Sequence, residues 1–307
     1  MTDGPLTIAC VGEAMIELSL DGDGANARVG FAGDTLNTAI YLRRLLTAGH
    51  TVDYVTALGT DAFSDRMAEY IAAEGIGTDR VTRVADRRAG LYAISTDEAG
   101  ERSFAYWREN SAARTLFRGA DGPDFSALEG VDVVYASAIT LAILPPAMRA
   151  AFLDWVVGFR AQGGRFAFDS NYRPHLWDGR EAARETTARA WREADIALPS
   201  LDDEMALFGD ADEAAARARL NGYGIALGAL KRGMAGPVPL GARAVEQDYP
   251  AAPSVVDTTA AGDSFNAGML AGVLRGHPLD ASLRAGHDCA CRVIGHRGAI
   301  VPRDLWT

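Results

Sequence analysis

Asp257-Thr258-Thr259-Ala260-Ala261-Gly262-Asp263-Ser264-Phe265-Asn266-Ala267-Gly268 sets two threonines behind an aspartate, then three small residues, then a second aspartate at the head of an apolar run. Phe265, Met269 and Val273 recur at i, i+4 and i+8, which is one face of a helix. The small residues leave the N–H groups of that helix's first turn uncovered. Unpaired N–H groups and the positive end of the helix dipole together make an anion site, so a phosphate can rest against Ala260, Ala261 and Gly262. Asp263 follows where the dipole favours a carboxylate by ~0.3–1 kcal/mol. Beside a phosphate, it is placed to take a proton from an attacking hydroxyl. The residues alone admit a second reading: a turn into a well-capped core helix, with Asp263 only complementing the dipole.

A second helix start lies near the N-terminus, where Ala32-Gly33-Asp34-Thr35-Leu36-Asn37 runs into the apolar stretch 40–46. Asp34 or Thr35 is expected as its N-cap. A cap does not account for Gly33, Asp34 and Asn37 together, a tip that offers donors and acceptors to sugar hydroxyls. Upstream, 6–11 reads as a buried strand and 13–20 as a half-buried, alternating one. Gly22-Asp23-Gly24-Ala25-Asn26-Ala27 matches the dinucleotide fingerprint by letter. That fingerprint has meaning only between a strand and a helix, and 28–31 does not read as a helix, so a hairpin turn is expected.

Residues 52–58 read as a strand, and Asp61 caps a helix through 71. The runs 90–96 and 102–108 alternate on either side of Asp97-Glu98-Ala99-Gly100, which is a hairpin pattern. With the strands near 17 and 29 they suggest a small sheet apart from the main core, built from segments near 13–31 and 89–109. Its hairpin carries Tyr92, Tyr106 and Arg108. These are either ordinary residues of an exposed sheet face or substrate contacts. As contacts, Tyr supplies an apolar body with a hydroxyl tip, and Arg a fork matched to a carboxylate.

From residue 131 strands and helices alternate, which argues for a parallel sheet covered on both faces. Strands are expected at 131–136, 165–168, 196–198 and 225–230, and helices at 145–160 and 279–294. The strand at 165–168 ends in Asp169-Ser170-Asn171-Tyr172-Arg173, polar residues at the strand end where open α/β sheets bind ligands. Arg173 serves such a site or a salt bridge to a neighbouring helix. Asp202, Asp203 and Glu204 begin a further helix or take part in the site. Lys231-Arg232-Gly233-Met234-Ala235-Gly236 is a glycine-rich turn that lets a nucleotide lie against backbone. Pro237 and Pro239 then interrupt what should be a strand.

The 307 residues, 48% hydrophobic, suit one large globular domain over 1–307. A formal net charge of -11 argues against a nucleic-acid or anionic-membrane surface. Three cysteines, Cys10, Cys289 and Cys291, fit a reducing cytoplasm, with the last two read as buried helix residues. No leader and no membrane span are expected. P-loop, zinc-protease and nucleophile-elbow motifs are all absent.

The run at 257–263 resembles the D-T-x-G-A-G-D signature of the ribokinase-like (phosphofructokinase-B) sugar kinases, with Ala260 in place of the first glycine. That place is expected to need only backbone conformations that Ala reaches. A narrower resemblance, to the 2-keto-3-deoxygluconate kinases, rests on Gly12-Glu13-Ala14-Met15-Ile16-Glu17-Leu18-Ser19 and Ala32-Gly33-Asp34-Thr35-Leu36-Asn37. The likeness covers essentially the whole chain. It implies a ribokinase-like three-layer α/β sandwich, with a mainly parallel central sheet and a small β-sheet lid over the sugar.

The resemblance also implies residue roles. Asp263 is the base, and the backbone of 260–263, with Ala260, Ala261 and Gly262, is the anion hole. Gly33, Asp34, Asn37, Tyr92, Tyr106, Arg108 and Arg173 meet the substrate. Asn171, Arg173, Lys231, Gly233 and Gly236 lie along ATP. Glu204 contributes indirectly to a magnesium site, although Leu201 replaces the family's Asn there. Potassium is a candidate at Asp257 and Thr259, and paired lids suggest a homo-oligomer. The implied reaction is ATP-dependent phosphorylation of the terminal hydroxyl of 2-keto-3-deoxygluconate. Two rivals stand beside it: a neutral-sugar kinase of fructose, tagatose or ribose type, and a sugar-binding regulatory protein without catalysis.

Overall fold

The computed structural model describes residues 4–21, 24–96, 102–241 and 247–306. The first half contains β1 (Thr7–Val11), β2 (Met15–Leu20), β3 (Ala27–Ala32), α1 (Asp34–Leu45), β4 (Thr51–Val55), β5 (Ala57–Leu58), α2 (Ala62–Ala73), β6 (Thr82–Arg83), β7 (Gly90–Thr96) and β8 (Arg102–Trp107). The second half contains β9 (Val133–Ser137), α3 (Ala138–Ile143), α4 (Pro146–Ala161), β10 (Arg165–Asp169), α5 (Arg180–Glu193), β11 (Ile196–Leu198), α6 (Leu201–Phe208), α7 (Glu213–Gly222), β12 (Gly228–Leu230), β13 (Val238–Leu240), α8 (Ala261–Leu274) and α9 (Leu279–Ile294).

Seven strands form the central sheet in the order β13-β12-β11-β10-β9-β1-β4, all parallel except β13. Side chains alternate across a strand, and here both faces are covered, so the inner strands are apolar throughout. Ile8 and Cys10 enter one core with residues of α1, α2, α8 and α9. Ala9 and Val11 enter the other, with residues of α3, α4, α5 and α6. The result is a three-layer sandwich.

A second sheet, in the order β3-β2-β7-β8, pairs β2 with β7 in parallel and closes both flanks with antiparallel partners. The turn expected over 97–100 lies outside the described residues, as do Gly22 and Asp23. The described part of the 22–27 segment joins β2 to β3 as a hairpin, with the Asp21 N–H donating to Asn26 O at 2.9 Å.

Several local expectations change. Helix α8 is buried on every side from Ser264 to Leu274 rather than along one stripe, because it lies inside the core layer. The strand expected over 52–58 is two strands, β4 and β5, that join different sheets. The prolines after Gly236 do not prevent a strand. Pro239 sits in β13 at the sheet's outer edge, where the missing N–H costs no ladder bond on the open side. Neither Asp34 nor Thr35 caps α1. Gly33 is its N-cap, with no side-chain cap, which leaves the Asp34 carboxylate for other partners. Cys289 is buried as expected, but Cys291 is partly exposed with Sγ 3.3 Å from His287 Nε2.

Candidate active site

A cavity of about 580 Å³ opens at the C-terminal ends of the parallel strands, where an open α/β sheet binds its ligands. Its floor comes from Asp169 at the end of β10, Ser200 after β11 and Lys231 after β12. One wall is the first turns of α1 and α8, and the other is the β3-β2-β7-β8 sheet.

Helix α8 begins as the residue pattern requires, with one difference. Ala260, its N-cap, has φ 60 and ψ 17, the left-handed region. An L-residue with a Cβ is strained there by roughly 1–2 kcal/mol, so the Ala for Gly replacement is not free. The Ala261 N–H turns back onto Thr258 O at 3.2 Å, and the first helical bond is Ser264 N–H to Ala260 O at 2.9 Å. Among the described residues this leaves the Gly262 and Asp263 amides ahead of the first helical bond without a backbone acceptor.

Asp263 lies within the buried end of the cavity and accepts from Asn37 Nδ2 at 2.8 Å. Burial first, then the nearby Asp34 and Asp169 carboxylates, push its pKa up to about 8; the Asn37 hydrogen bond and Lys231 oppose the rise. Asp34 is likewise raised, chiefly by burial, while it accepts from Ser137 Oγ at 2.5 Å and Asn171 Nδ2 at 2.9 Å. A base poised near neutral pH is suited to accept a hydroxyl proton.

Lys231 Nζ donates to Asp169 Oδ1 at 2.7 Å and to Asn266 Oδ1 at 3.0 Å. A Cβ built on Gly262 would stand 3.7 Å from that ammonium, so a positive charge lies beside the uncovered amides. Behind them a buried chain continues. Asn266 Nδ2 donates to the Tyr135 hydroxyl at 3.0 Å, the Tyr135 and Thr38 hydroxyls lie 3.1 Å apart, and Thr38 Oγ reaches Asp263 O at 3.2 Å. The chain joins the lysine to the backbone of the aspartate.

The cavity brings together most of the residues singled out from sequence. Gly33, Asp34 and Asn37 line it at α1. Gly33 is required there because a Cβ would fall 2.2 Å from Glu13 O. Tyr92, Tyr106 and Arg108 line it from the second sheet, and Asn171 and Arg173 from the loop after β10. Arg108 is not a free fork: it is ion-paired with Glu13. Arg173 is half-exposed, donates to Tyr172 O at 2.9 Å and stands 3.7 Å from Asp203.

Three expected residues lie elsewhere. Gly233 and Gly236 flank a short turn after β12 and do not line this cavity. Glu204 is fully buried, with its carboxylate taken by Trp191 Nε1 at 3.2 Å and Arg219 Nη2 at 2.8 Å. Burial holds its pKa near 7. It forms a core ion pair and does not line this cavity.

Residues missed by sequence reasoning also line it. Ser200 and His175 follow strand ends, the same signal that identified Asn171 and Arg173, and Asp202 and Asp203, weighed from sequence as site or helix start, line the cavity as well. Ser137 and Asn266 hold the acidic and basic groups from behind, and nothing in their spacing marks them.

Among the described residues no three His, Cys, Asp or Glu side chains are arranged to hold a metal ion. Mg²⁺ would not need such a cluster, because it keeps waters and binds through one or two carboxylates plus substrate phosphates. Asp203 fits such a role. It lines the cavity, accepts from Ser170 Oγ at 3.1 Å, and has its pKa raised by burial and Asp169.

Comparison with known proteins agrees with the geometry. The chain is 42% identical over 303 residues to 2-dehydro-3-deoxygluconokinase of Escherichia coli (strain K12), spanning 97% of each. It is 30% identical to a fructokinase of Klebsiella pneumoniae, over 90% of this chain and 86% of that one. The PfkB protein of Polaromonas sp. JS666 superposes with TM-score 0.83 at 26% identity, covering 98% of both chains. Aminoimidazole riboside kinase of Salmonella enterica, solved with aminoimidazole riboside and an ATP analogue, superposes with TM-score 0.80 at 22% identity over 95% of each. The pfkB family carbohydrate kinase model matches residues 6–305. With an aspartate at the head of a bare helix turn, inside a cavity between two sheets, the chain belongs to the pfkB family of carbohydrate kinases.

Proposed function

We propose that this kinase transfers the γ-phosphoryl group of ATP to the terminal hydroxyl of 2-keto-3-deoxygluconate. The observation that carries the reading is the partly buried Asp263 carboxylate, held by Asn37 and adjoining two free amides and Lys231. Asp263 accepts the hydroxyl proton as the oxygen attacks phosphorus; the bond to ADP breaks and a phosphate ester forms. The Gly262 and Asp263 amides, with Lys231, meet the charge on the transferring oxygens, where preorganised donors act most strongly. Asp203 would help to hold Mg²⁺, which would supply charge neutralisation on the ATP phosphates. Gly33, Asp34 and Asn37 face the sugar hydroxyls. Arg108 and Arg173 give the cavity a cationic side for the substrate's acid group. Lys231 and the loop through Asn171 face the nucleotide.

The 42% identity to a sugar-acid kinase over nearly full length supports an acid over a neutral substrate. A neutral-sugar kinase remains the second reading, because the Arg108 charge is already matched by Glu13. A coupled ADP assay over sugar acids and neutral sugars decides between them. Turnover of the acid that collapses in Arg108→Ala is the expected result; full retention there would favour a neutral sugar. No turnover on any sugar would favour a binding protein.

The exposed Trp107 on the edge strand β8, on the face opposite the cavity-lining Phe104 and Tyr106, offers a surface for a second copy. No helix among the described residues is long and apolar enough to cross a membrane. Potassium at Asp257 and Thr259 belongs to the same proposal. Asp257 Oδ1 accepts from Thr259 N–H at 3.0 Å, which is also an ordinary turn.

A further inference from the structure

The Gly12–Ser19 stretch carries a glutamate that the proposed reaction leaves without a task. Glu13 is 2% exposed and Arg108 6% exposed, and the two are ion-paired through Glu13 Oε2 and Arg108 Nη2. Such a pair normally survives burial only when its remaining lone pairs and protons are satisfied. Here they are not. Glu13 Oε1 and Arg108 Nε are both buried and lack a hydrogen-bond partner. Arg108 lines the cavity and Glu13 stands behind it. A guanidinium has five N–H donors in a fixed fork, so one anchored edge leaves donors for an anion arriving from the cavity.

The neighbouring backbone is fitted to this pair. Gly90, the first residue of β7, lies opposite Met15 in the sheet. A Cβ on Gly90 would come within 2.7 Å of Glu13 Oε1, 3.1 Å of Met15 Cγ and 3.2 Å of Arg108 Cβ. Its backbone is not in a glycine-only conformation, so space alone makes it glycine. The glutamate reaches the arginine through the gap that Gly90 leaves. Two pairs along the same sheet, Glu17 lies opposite Tyr92, accepting from its hydroxyl, and Tyr92 lies opposite Tyr106.

We infer that Glu13 is a positioning residue for acid recognition: through the space over Gly90 it anchors one edge of the Arg108 guanidinium, so that the free edge faces the substrate carboxylate. This rests on the sugar-acid reading above. Glu13 does not touch substrate; it acts by fixing where the cationic fork points and by preventing Arg108 from turning to the cavity's aspartates.

The test is steady-state kinetics with 2-keto-3-deoxygluconate and, in parallel, fructose, at saturating ATP. Glu13→Gln and Gly90→Ala are each expected to raise KM for the acid about 10-fold or more, with kcat within about 3-fold. Gly90→Ala leaves the glutamate in place, so agreement between the two variants does not depend on either folding perfectly. In an Arg108→Ala background, Glu13→Gln is expected to add no further rise, because its effect runs through Arg108. A wild-type KM in Glu13→Gln, or an equal rise with Arg108 already absent, would overturn the inference while leaving the acid reading intact. Wild type that phosphorylates only fructose would overturn both.

Discussion

Asn37 Nδ2 donates to Asp263 Oδ2 at 2.8 Å, joining the first turn of α1 to the first turn of α8 across the sugar end of the cavity. This hydrogen bond favours the ionised carboxylate against burial and the neighbouring Asp34 and Asp169 charges, which together hold its pKa near 8. The base must be ionised to act, so kcat/KM is expected to rise with pH through a limb near 8. Asn37→Ala removes the opposing bond. The limb should then move to higher pH, and activity at pH 7 should fall about 10-fold or more, while the plateau at high pH falls less. A pH profile of kcat/KM checks this; an unmoved limb would separate Asp263 from the titrating group.

The same shift has a consequence for stability. In the unfolded chain Asp263 ionises near its ordinary value, whereas the fold keeps its proton until about pH 8. Stabilisation from the protonated carboxyl is therefore complete at acid pH and is lost as pH rises through that window. Asp263→Asn cannot ionise. Its urea-unfolding stability should fall less than wild type between pH 5 and pH 8, and kcat should drop by roughly 10²–10⁴ for a lost general base. Parallel stability curves for the two proteins would contradict the raised pKa.

Tyr135 lies beneath the acidic groups, fully buried, with burial and the Asp169, Asp263 and Asp34 charges keeping its hydroxyl protonated. Tyr135→Phe keeps the ring in the core but strands the Asn266 Nδ2 donor, while the Thr38 hydroxyl keeps the Asp34 and Asp263 carbonyls. Unsatisfied buried groups of this kind cost about 1–3 kcal/mol. Because Asn266 also accepts from Lys231, the ammonium loses part of its seat beside Gly262. We expect a lower urea midpoint together with a kcat reduced several-fold, and a stability loss with wild-type kcat would make the chain purely structural.

Glu204 shows why part of this site was not legible in the sequence. Its place in the chain pointed to a magnesium role, yet the helix turn that carries it aims the carboxylate at Trp191 and Arg219, from α5 and α7. Glu204→Gln is expected to lower stability by about 1–3 kcal/mol, since Arg219 keeps Asp210 at 2.5 Å as a partner. The Mg²⁺ concentration for half-maximal rate should not change. A several-fold rise in that concentration would restore the metal role.

What could be read from sequence was what depends on local pattern. The alternating strands, the bare helix start at 260–263 and the polar strand ends at Asn171 and Arg173 follow from spacing and residue type. Side-chain direction over long separations did not. Arg108 looked like an open fork because Glu13, which occupies it, is 95 residues away. Ser137 and Tyr135 carry no motif; each matters only because the parallel sheet delivers β9 beside α1 and α8, where Tyr135 meets Asn266.

Ala260 gives the last prediction. Its left-handed backbone begins α8 and sets the angle at which the Gly262 and Asp263 amides face the cavity. Glycine adopts that conformation without the Cβ penalty but loses more freedom on folding, about 0.4–1 kcal/mol. The penalty removed is roughly 1–2 kcal/mol, so Ala260→Gly should be net stabilising by about 0.5–1 kcal/mol. Calorimetry should show a melting temperature higher by about 1–4 °C. The amides keep their direction in either residue, so kcat should stay within about 2-fold. A large fall in kcat would mean that Ala260's methyl, and not only its backbone, shapes the phosphate pocket.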